Sequence, residues 1–477
     1  MLLEIQKLYK QNKFIEANLL CEKIAQEKIL DFNELLIIST IKTKIGDFIK
    51  AIKFAQEAIL LKPNSFHGYN TLAICFKEVG NFQLAINNYK KSIEINQNNG
   101  ELNYNLAILY EKINELNNAI LNYKKSIKLK PDLINSYINL GLIYYRKKLY
   151  KKSEIYYNKS LRLNSDDSTT KWNLSLLFLE QGKFKNGWNY YEYGKKCGAR
   201  PDPKFKFGKL WTGNEDLKGK KILLYSEQGF GDVFQFCRYI ELVHKLGGKV
   251  IFQTYKKLKC ILKNLKGVYK ILDTNQKIEK FDYYNSIMSL PKAFNTDEKN
   301  IINKTPYIFL DNNYILKWKK ILSFKDIKIG ICCNSKKNNG WFRDFDIKYF
   351  SKIYKLNNVK LISLEKNTNY KRLFPDIIEF KNLDIEKSFM DTAAIIKNID
   401  LVITCDTSIA HLSGALGKKT LIVLNYKNDW RWGINEEKTI WYPNAILFRN
   451  KKENEWESSF EDIFKYLKNN FKIYEKN

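Results

Sequence analysis

Apolar positions in the first 195 residues recur with a helical period and in blocks. Phe14, Phe48, Phe82, Leu116, Tyr150 and Phe184 each stand 34 residues after the last. Three residues on in every block comes a small side chain: Ala17, Ala51, Ala85, Ala119, Ser153 and Gly187. A second small column holds Ser39, Ala73, Ala107, Gly141 and Ser175, and an aromatic column holds Tyr89, Tyr123, Tyr157 and Tyr191. Gly46, Gly80 and Gly182 separate the two halves of a block, and Pro63 and Pro131 close it. Small residues let two helices approach closely, large ones fill the space to the next pair, and proline stops a helix. The pattern predicts paired antiparallel helices that bury their faces only by stacking. After Gly194 the period changes. Apolar runs at KKILLYSEQ, KVIFQTY, IKIGICC (Ile327 to Cys333), VKLISLE (Val359 to Glu365), DLVITCD (Asp400 to Asp406) and KTLIVLN (Lys419 to Asn425) read as buried parallel strands. Amphipathic helices alternate with them, the first spanning Asp232 to Leu246, another Asn312 to Phe324, and a last one Trp456 to Phe471. Two such βα blocks joined by a connector predict two Rossmann-like layers facing a cleft, with ligands outside the carboxyl ends of the strands.

The columns resemble the tetratricopeptide family, whose period is the same. The resemblance covers residues 1–195 as five to six repeats and implies an α-solenoid that offers a groove to a protein or peptide. Residues 196–218, with Pro201, Pro203 and several glycines, read as a linker. The α/β part divides into an N-terminal half, 219–311, and a C-terminal half, 312–477.

Composition narrows the classes. The 477 residues carry 81 Lys and Arg against 51 Asp and Glu, a net charge of +30. The lysines are spread along both halves, so they imply a solvated surface with some attraction to anionic membranes rather than a nucleic-acid site, and no recognition helix or aromatic-basic motif favours nucleic acid. The 8 cysteines form no CxxC pair and read as reduced packing residues. The start, MLLEIQKLYKQNK, lacks the layout of a secretory signal, which makes a cytoplasmic protein the expectation.

Two loops carry candidate chemistry. The first, Ser226 to Asp232, contains Gln228, Gly229 and Gly231, and its glycines suit backbone N–H groups close to a ligand. Phe234 stands where a dinucleotide fingerprint wants a third glycine, which argues against a nicotinamide cofactor. Asp232 has two readings, a helix cap and a general base. The second loop, Asp406 to Gly417, opens a helix rich in small residues. Thr407, Ser408 and the free N–H groups suit a diphosphate, and Asp406 suits sugar or ribose hydroxyls. His411 is either a ligand contact or a core histidine. Asp344-Phe-Asp346 imitates a metal-binding DxD but reads as helix-start carboxylates, so no metal and no cofactor is expected. Trp441 reads as sealing the domain edge, while Trp430 and Trp432 stay open between that role and sugar stacking.

These loops, with FDYYNSIMSLPKAF, DWRWG (Asp429 to Gly433) and WYPNAILFR (Trp441 to Arg449), resemble the GT-B glycosyltransferases, in particular the heptosyltransferase-like group. The layout of repeats before such a domain is also similar to that of the O-linked N-acetylglucosamine transferases. The resemblance implies GT-B twin Rossmann-like domains, a nucleotide-sugar donor held mostly by the C-terminal half, and inverting, metal-independent transfer to a hydroxyl of a protein or surface-glycan precursor. It implies Asp232 as the catalytic base and Asp406, Thr407, Ser408 and His411 as the donor loop. Relatives carry a basic residue facing the phosphates after the IKIGICC strand. Here the turn is Cys332-Cys333-Asn334-Ser335-Lys336, which departs from their pattern, and Arg343 is assigned that contact ahead of Lys336. The resemblance also implies a C-terminal helix that returns to the first layer. The rival reading is a non-catalytic repeat scaffold carrying a degenerate transferase domain.

Overall fold

The computed structural model describes residues 2–334, 343–385 and 387–471. The chain forms two compact units, Met1–Thr170 and Lys171–Asn477. In the first unit every predicted block is a helix pair, from Leu2–Lys10 with Phe14–Glu27 to Ile134–Arg146 with Tyr150–Leu163. Tyr89, Tyr123 and Tyr157 are fully buried, and a Cβ on Gly141 would lie 2.6 Å from the Tyr157 ring. That contact is the reason for the small column opposite the tyrosines. A further column emerges at Ser92, Ser126 and Ser160: the Ser92 hydroxyl bonds the Phe66 carbonyl within its pair at 2.7 Å, while Ser126 to Ser136 at 2.8 Å and Ser160 to Thr170 at 2.9 Å tie one pair to the next helix.

The second unit holds two five-stranded, all-parallel sheets. The first contains β1 (Lys209–Leu210), β2 (Lys221–Tyr225), β3 (Lys249–Thr254), β4 (Val268–Asp273) and β5 (Tyr283–Ser286), in the order β1-β5-β2-β3-β4. The second contains β6 (Ile327–Cys332), β7 (Val359–Ser363), β8 (Leu401–Cys405), β9 (Thr420–Leu424) and β10 (Ala445–Arg449), in the order β10-β9-β8-β6-β7. Strand order reverses direction beside β2 in one sheet and between β6 and β8 in the other, and such switch points open crevices at the carboxyl ends.

Four features differ from the sequence pattern. The unit border falls after Thr170 rather than at 195, because the last hairpin packs into the α/β unit: Trp188 meets Trp430 with ring centroids 5.4 Å apart and Phe236 at 5.8 Å. Residues 196–218 are not a free linker. They include β1, the buried Arg200 and the buried Trp211, whose indole N–H donates to the Glu215 carbonyl at 3.1 Å. The helix expected over Asp232 to Leu246 is Phe230–Phe236, a 3-10 turn at Cys237–Tyr239 and Ile240–Lys245. There the Arg238 side chain takes the Gln235 carbonyl at 2.7 Å and the Tyr307 hydroxyl takes that of Phe234 at 2.8 Å, competing with the helical bonds. Finally, the C-terminal helix, Glu457–Phe471, packs on the second sheet and not the first. Its stripe of Phe460, Ile463 and Leu467 is covered by Phe345, Phe350 and Val423, close to the strand from which it departs. Among the described residues, no helix is long and apolar enough to cross a membrane.

Candidate functional site

Four strands deliver charged side chains from their carboxyl ends: Asp232 after β2, Arg343 after β6, Asp406 after β8, and Asp429 with Arg431 after β9. They form one cluster. Arg343 Nη1 lies 3.4 Å from Asp406 Oδ2. Arg431 donates through Nη2 to Asp232 Oδ1 and through Nη1 to Asp429 Oδ1 at 2.7 Å. The Arg431 guanidinium also covers the Trp430 ring at 4.3 Å. Burial raises the Asp232 carboxyl above its usual range against the pull of Arg431, and it raises Asp406 against Arg343. Asp429 goes the other way: despite burial, Arg431 and Arg343 hold it below the usual range. The Asp406 carboxylate in turn raises Arg343.

Asp232 is the third residue of its helix rather than the cap, and Oδ2 accepts the N–H of the capping Gly229 at 2.8 Å. That N–H therefore serves the chain's own carboxylate. The left-handed backbone of this loop sits at Gln228, with φ 63°, and not at a glycine. Its side chain donates to the Tyr191 hydroxyl at 3.1 Å, and its carbonyl accepts from Tyr255 at 2.6 Å. Strain of this kind persists where surroundings over-determine it. Beneath the loop, Glu227 is buried with Arg200, whose Nη2 also reaches Ser289 Oγ at 2.9 Å and whose Nη1 reaches the Tyr191 carbonyl at 3.1 Å. Gly231 is needed for close approach: a Cβ there would lie 2.7 Å from His411 Cδ2.

Packed against this loop, the Ser408–Ala415 helix is capped by Thr407, whose Oγ1 accepts from Ile409 N–H at 3.2 Å. Thr407 and Ser408 remain partly exposed. His411 is buried, bonds Tyr442 through Nδ1 at 3.0 Å and stacks on Trp432 at 5.0 Å. Burial pushes its pKa well below 6.5, so the ring is neutral at pH 7. Trp430, Trp432 and Trp441 are all buried, packed on Trp188, His411 and one another. Asp346 caps the turn at Ile347–Phe350 through Lys348 N–H at 2.9 Å. Lys336 lies outside the described residues.

The geometry thus joins Asp232, Arg343 and Asp406 and sets Gly231 against His411. It adds Asp429 and Arg431, to which sequence reasoning gave no role beyond their segment. A D-x-R spacing after a buried strand was the available signal.

Residues 66–167 are tetratricopeptide repeats. Models described as tetratricopeptide repeat match 66–99, 88–120 and 134–167, and one described as TPR repeat matches 112–148. The chain is 22% identical to Protein FlbA of Caulobacter vibrioides over 287 residues, 54% of this chain and 47% of FlbA, so it spans about half the length of that curated relative. Among solved structures it is similar to pilF of Pseudomonas aeruginosa, at 19% identity over 35% of this chain and 75% of that one, with a TM-score of 0.33. A thermophilic TPR protein of Thermus thermophilus is 18% identical over 37% of this chain and 95% of its own, also with a TM-score of 0.33.

Proposed function

We propose that the α/β unit is a GT-B-type glycosyltransferase that takes a nucleotide-sugar donor and transfers the sugar to a hydroxyl on a protein or glycan precursor recruited by the repeats. The observation that carries this reading is the joining of Asp232, Arg343 and Asp406 at the carboxyl ends of strands from both sheets. Asp232 takes the proton of the acceptor hydroxyl while the acceptor oxygen bonds the anomeric carbon. The bond from that carbon to the diphosphate breaks, and the leaving oxygen keeps the electron pair. Arg343, partly exposed beside Asp406, and the N–H groups at Thr407 and Ser408 neutralise the leaving charge. Neutral His411 does not act as an acid here; it packs the donor loop against Gly231.

A thermal-shift screen of the full chain against UDP-, GDP-, ADP-, CMP- and dTDP-linked sugars tests the reading. A donor at 100 times its Kd stabilises the native state by about 2.7 kcal/mol. One donor should raise the melting temperature, and Asp406→Ala should reduce that rise. No rise with any donor favours the non-catalytic scaffold, in which Arg343 and Arg431 serve only to neutralise their aspartates.

A further inference from the structure

Asp232 sits where ionisation is opposed. It is partly buried, and Asp429 adds a second negative charge nearby. A protonated carboxyl cannot accept a proton, so a base at this place needs a group that holds it ionised and aimed. We propose that Arg431 is that positioning residue, holding the Asp232 carboxylate from the segment after β9; this rests on the glycosyltransferase reading.

The carboxylate is fixed from two sides. Oδ2 accepts the Gly229 N–H from its own loop, and Oδ1 accepts Arg431 Nη2 from the segment after β9. Arg431 is itself fixed. Its Nη1 reaches Asp429 Oδ1 at 2.7 Å, its Nε reaches Gln235 Oε1 at 2.9 Å, and its plane lies on Trp430. Each of its three nitrogens already has an acceptor within the chain, and its side chain is only 7% exposed. Arg343 differs. It meets Asp406 through one nitrogen at 3.4 Å and is 31% exposed, which suits an incoming diphosphate. The two arginines thus divide the work: Arg343 faces the leaving group, and Arg431 faces the base.

The other charged or titratable groups around Asp232 are Asp429 and Arg343 from the second sheet, and Glu227, Tyr191 and Tyr255 from the first-sheet side. His411, against Gly231, is neutral. Arg431 is the largest influence that lowers the Asp232 pKa. Its loss therefore lets that pKa rise, and the acid limb of turnover moves to higher pH.

The test uses the full-length protein and the donor that raises its melting temperature. Donor turnover, to acceptor or to water, is followed against pH together with donor Kd. In Arg431→Gln the acid limb moves up by about one pH unit or more, while donor Kd changes by less than about threefold. In Arg343→Gln the limb moves up by less than in Arg431→Gln, because Arg343 acts on Asp232 more weakly than Arg431 does, and Kd weakens about tenfold or more. Arg431→Lys keeps the charge but not the fork, so its limb stays near that of the wild type while kcat falls. A weakened Kd with an unmoved limb in Arg431→Gln makes Arg431 a diphosphate contact and overturns the proposal. So does an unchanged kcat in Arg431→Lys, which also serves if the Gln variant fails to fold. If no donor binds the wild type, the transferase reading falls by itself. The hold on Asp232 is then read from thermal unfolding against pH, comparing the wild type with Asp232→Asn in the presence and absence of Arg431. An identical pH dependence in both backgrounds sinks it.

Discussion

At the scale of single residues, the glycines of the Ser226 to Asp232 loop have a different task from the one their composition implies. The sequence reading gives Gly229 and Gly231 to a ligand. In the structure the Gly229 N–H belongs to Asp232, and Gly231 makes room for His411. The His411 ring is held by Tyr442 and Trp432 and cannot retreat. Gly231→Ala therefore forces an overpacked contact worth about 1–3 kcal/mol, more than the roughly 1 kcal/mol that alanine gains in a helix. Thermal unfolding should show a lower melting temperature for this variant, and a higher one would mean that the contact is slack. Asp232 was legible as a candidate because an acidic residue opens a helix after a buried strand. Its partner Arg431 was not, since 199 residues separate the two and only the meeting of two sheets brings them together.

At the scale of elements, the repeat pattern was legible because each column reports a contact between neighbours in sequence. The turn positions show the same rule with a different residue choice. Asn12, Gly46, Gly80, Asn114, Lys148 and Gly182 all have positive φ. Around Gly46 and Gly80 no atom lies within 4 Å of a would-be Cβ, so the demand there comes from backbone conformation alone. Asparagine tolerates it, whereas lysine bears the left-handed cost of roughly 1–2 kcal/mol. Lys148→Gly should stabilise the solenoid by about 0.5–1 kcal/mol, after allowing for the greater freedom of glycine in the unfolded chain. Urea unfolding followed by helical circular dichroism reads this, and an unchanged midpoint would show the Lys148 conformation to be unstrained. The broken helix over Phe230–Lys245 was not legible, because the groups that compete for its carbonyls include Tyr307, far along the chain.

At the scale of the whole molecule, the last repeat-like hairpin illustrates how one pattern serves two purposes. Phe184, Gly187 and Tyr191 keep the columns of the solenoid, yet Phe184 packs on Trp441 at 5.8 Å and Tyr191 bonds Gln228. From Lys171 onward the chain belongs to the α/β unit, with Arg200 pinned beneath the Asp232 loop. Arg200→Ala leaves Glu227 buried and unpaired, a change that costs about 3–5 kcal/mol. Replacing the two together, Arg200→Met with Glu227→Met, should recover most of that loss. The thermal transition of the α/β unit checks both, and an equal loss in the paired variant would locate the cost in the Glu192, Ser289 and Tyr191 contacts of Arg200 instead.

The sequence alone determined the repeats, the alternation of strands and helices, and most strand positions, because period and apolar runs reflect local geometry and local burial. It placed Asp232 and the Asp406 to His411 loop at strand ends, where the topology of a parallel sheet exposes them. Tertiary structure alone decided which charges meet, where the compact units divide and which sheet the final helix covers. Those outcomes depend on surfaces assembled from distant segments: the fork of Arg431 finds Asp232 only when both sheets are folded, and Phe460, Ile463 and Leu467 turn to whichever apolar face lies nearest the end of β10.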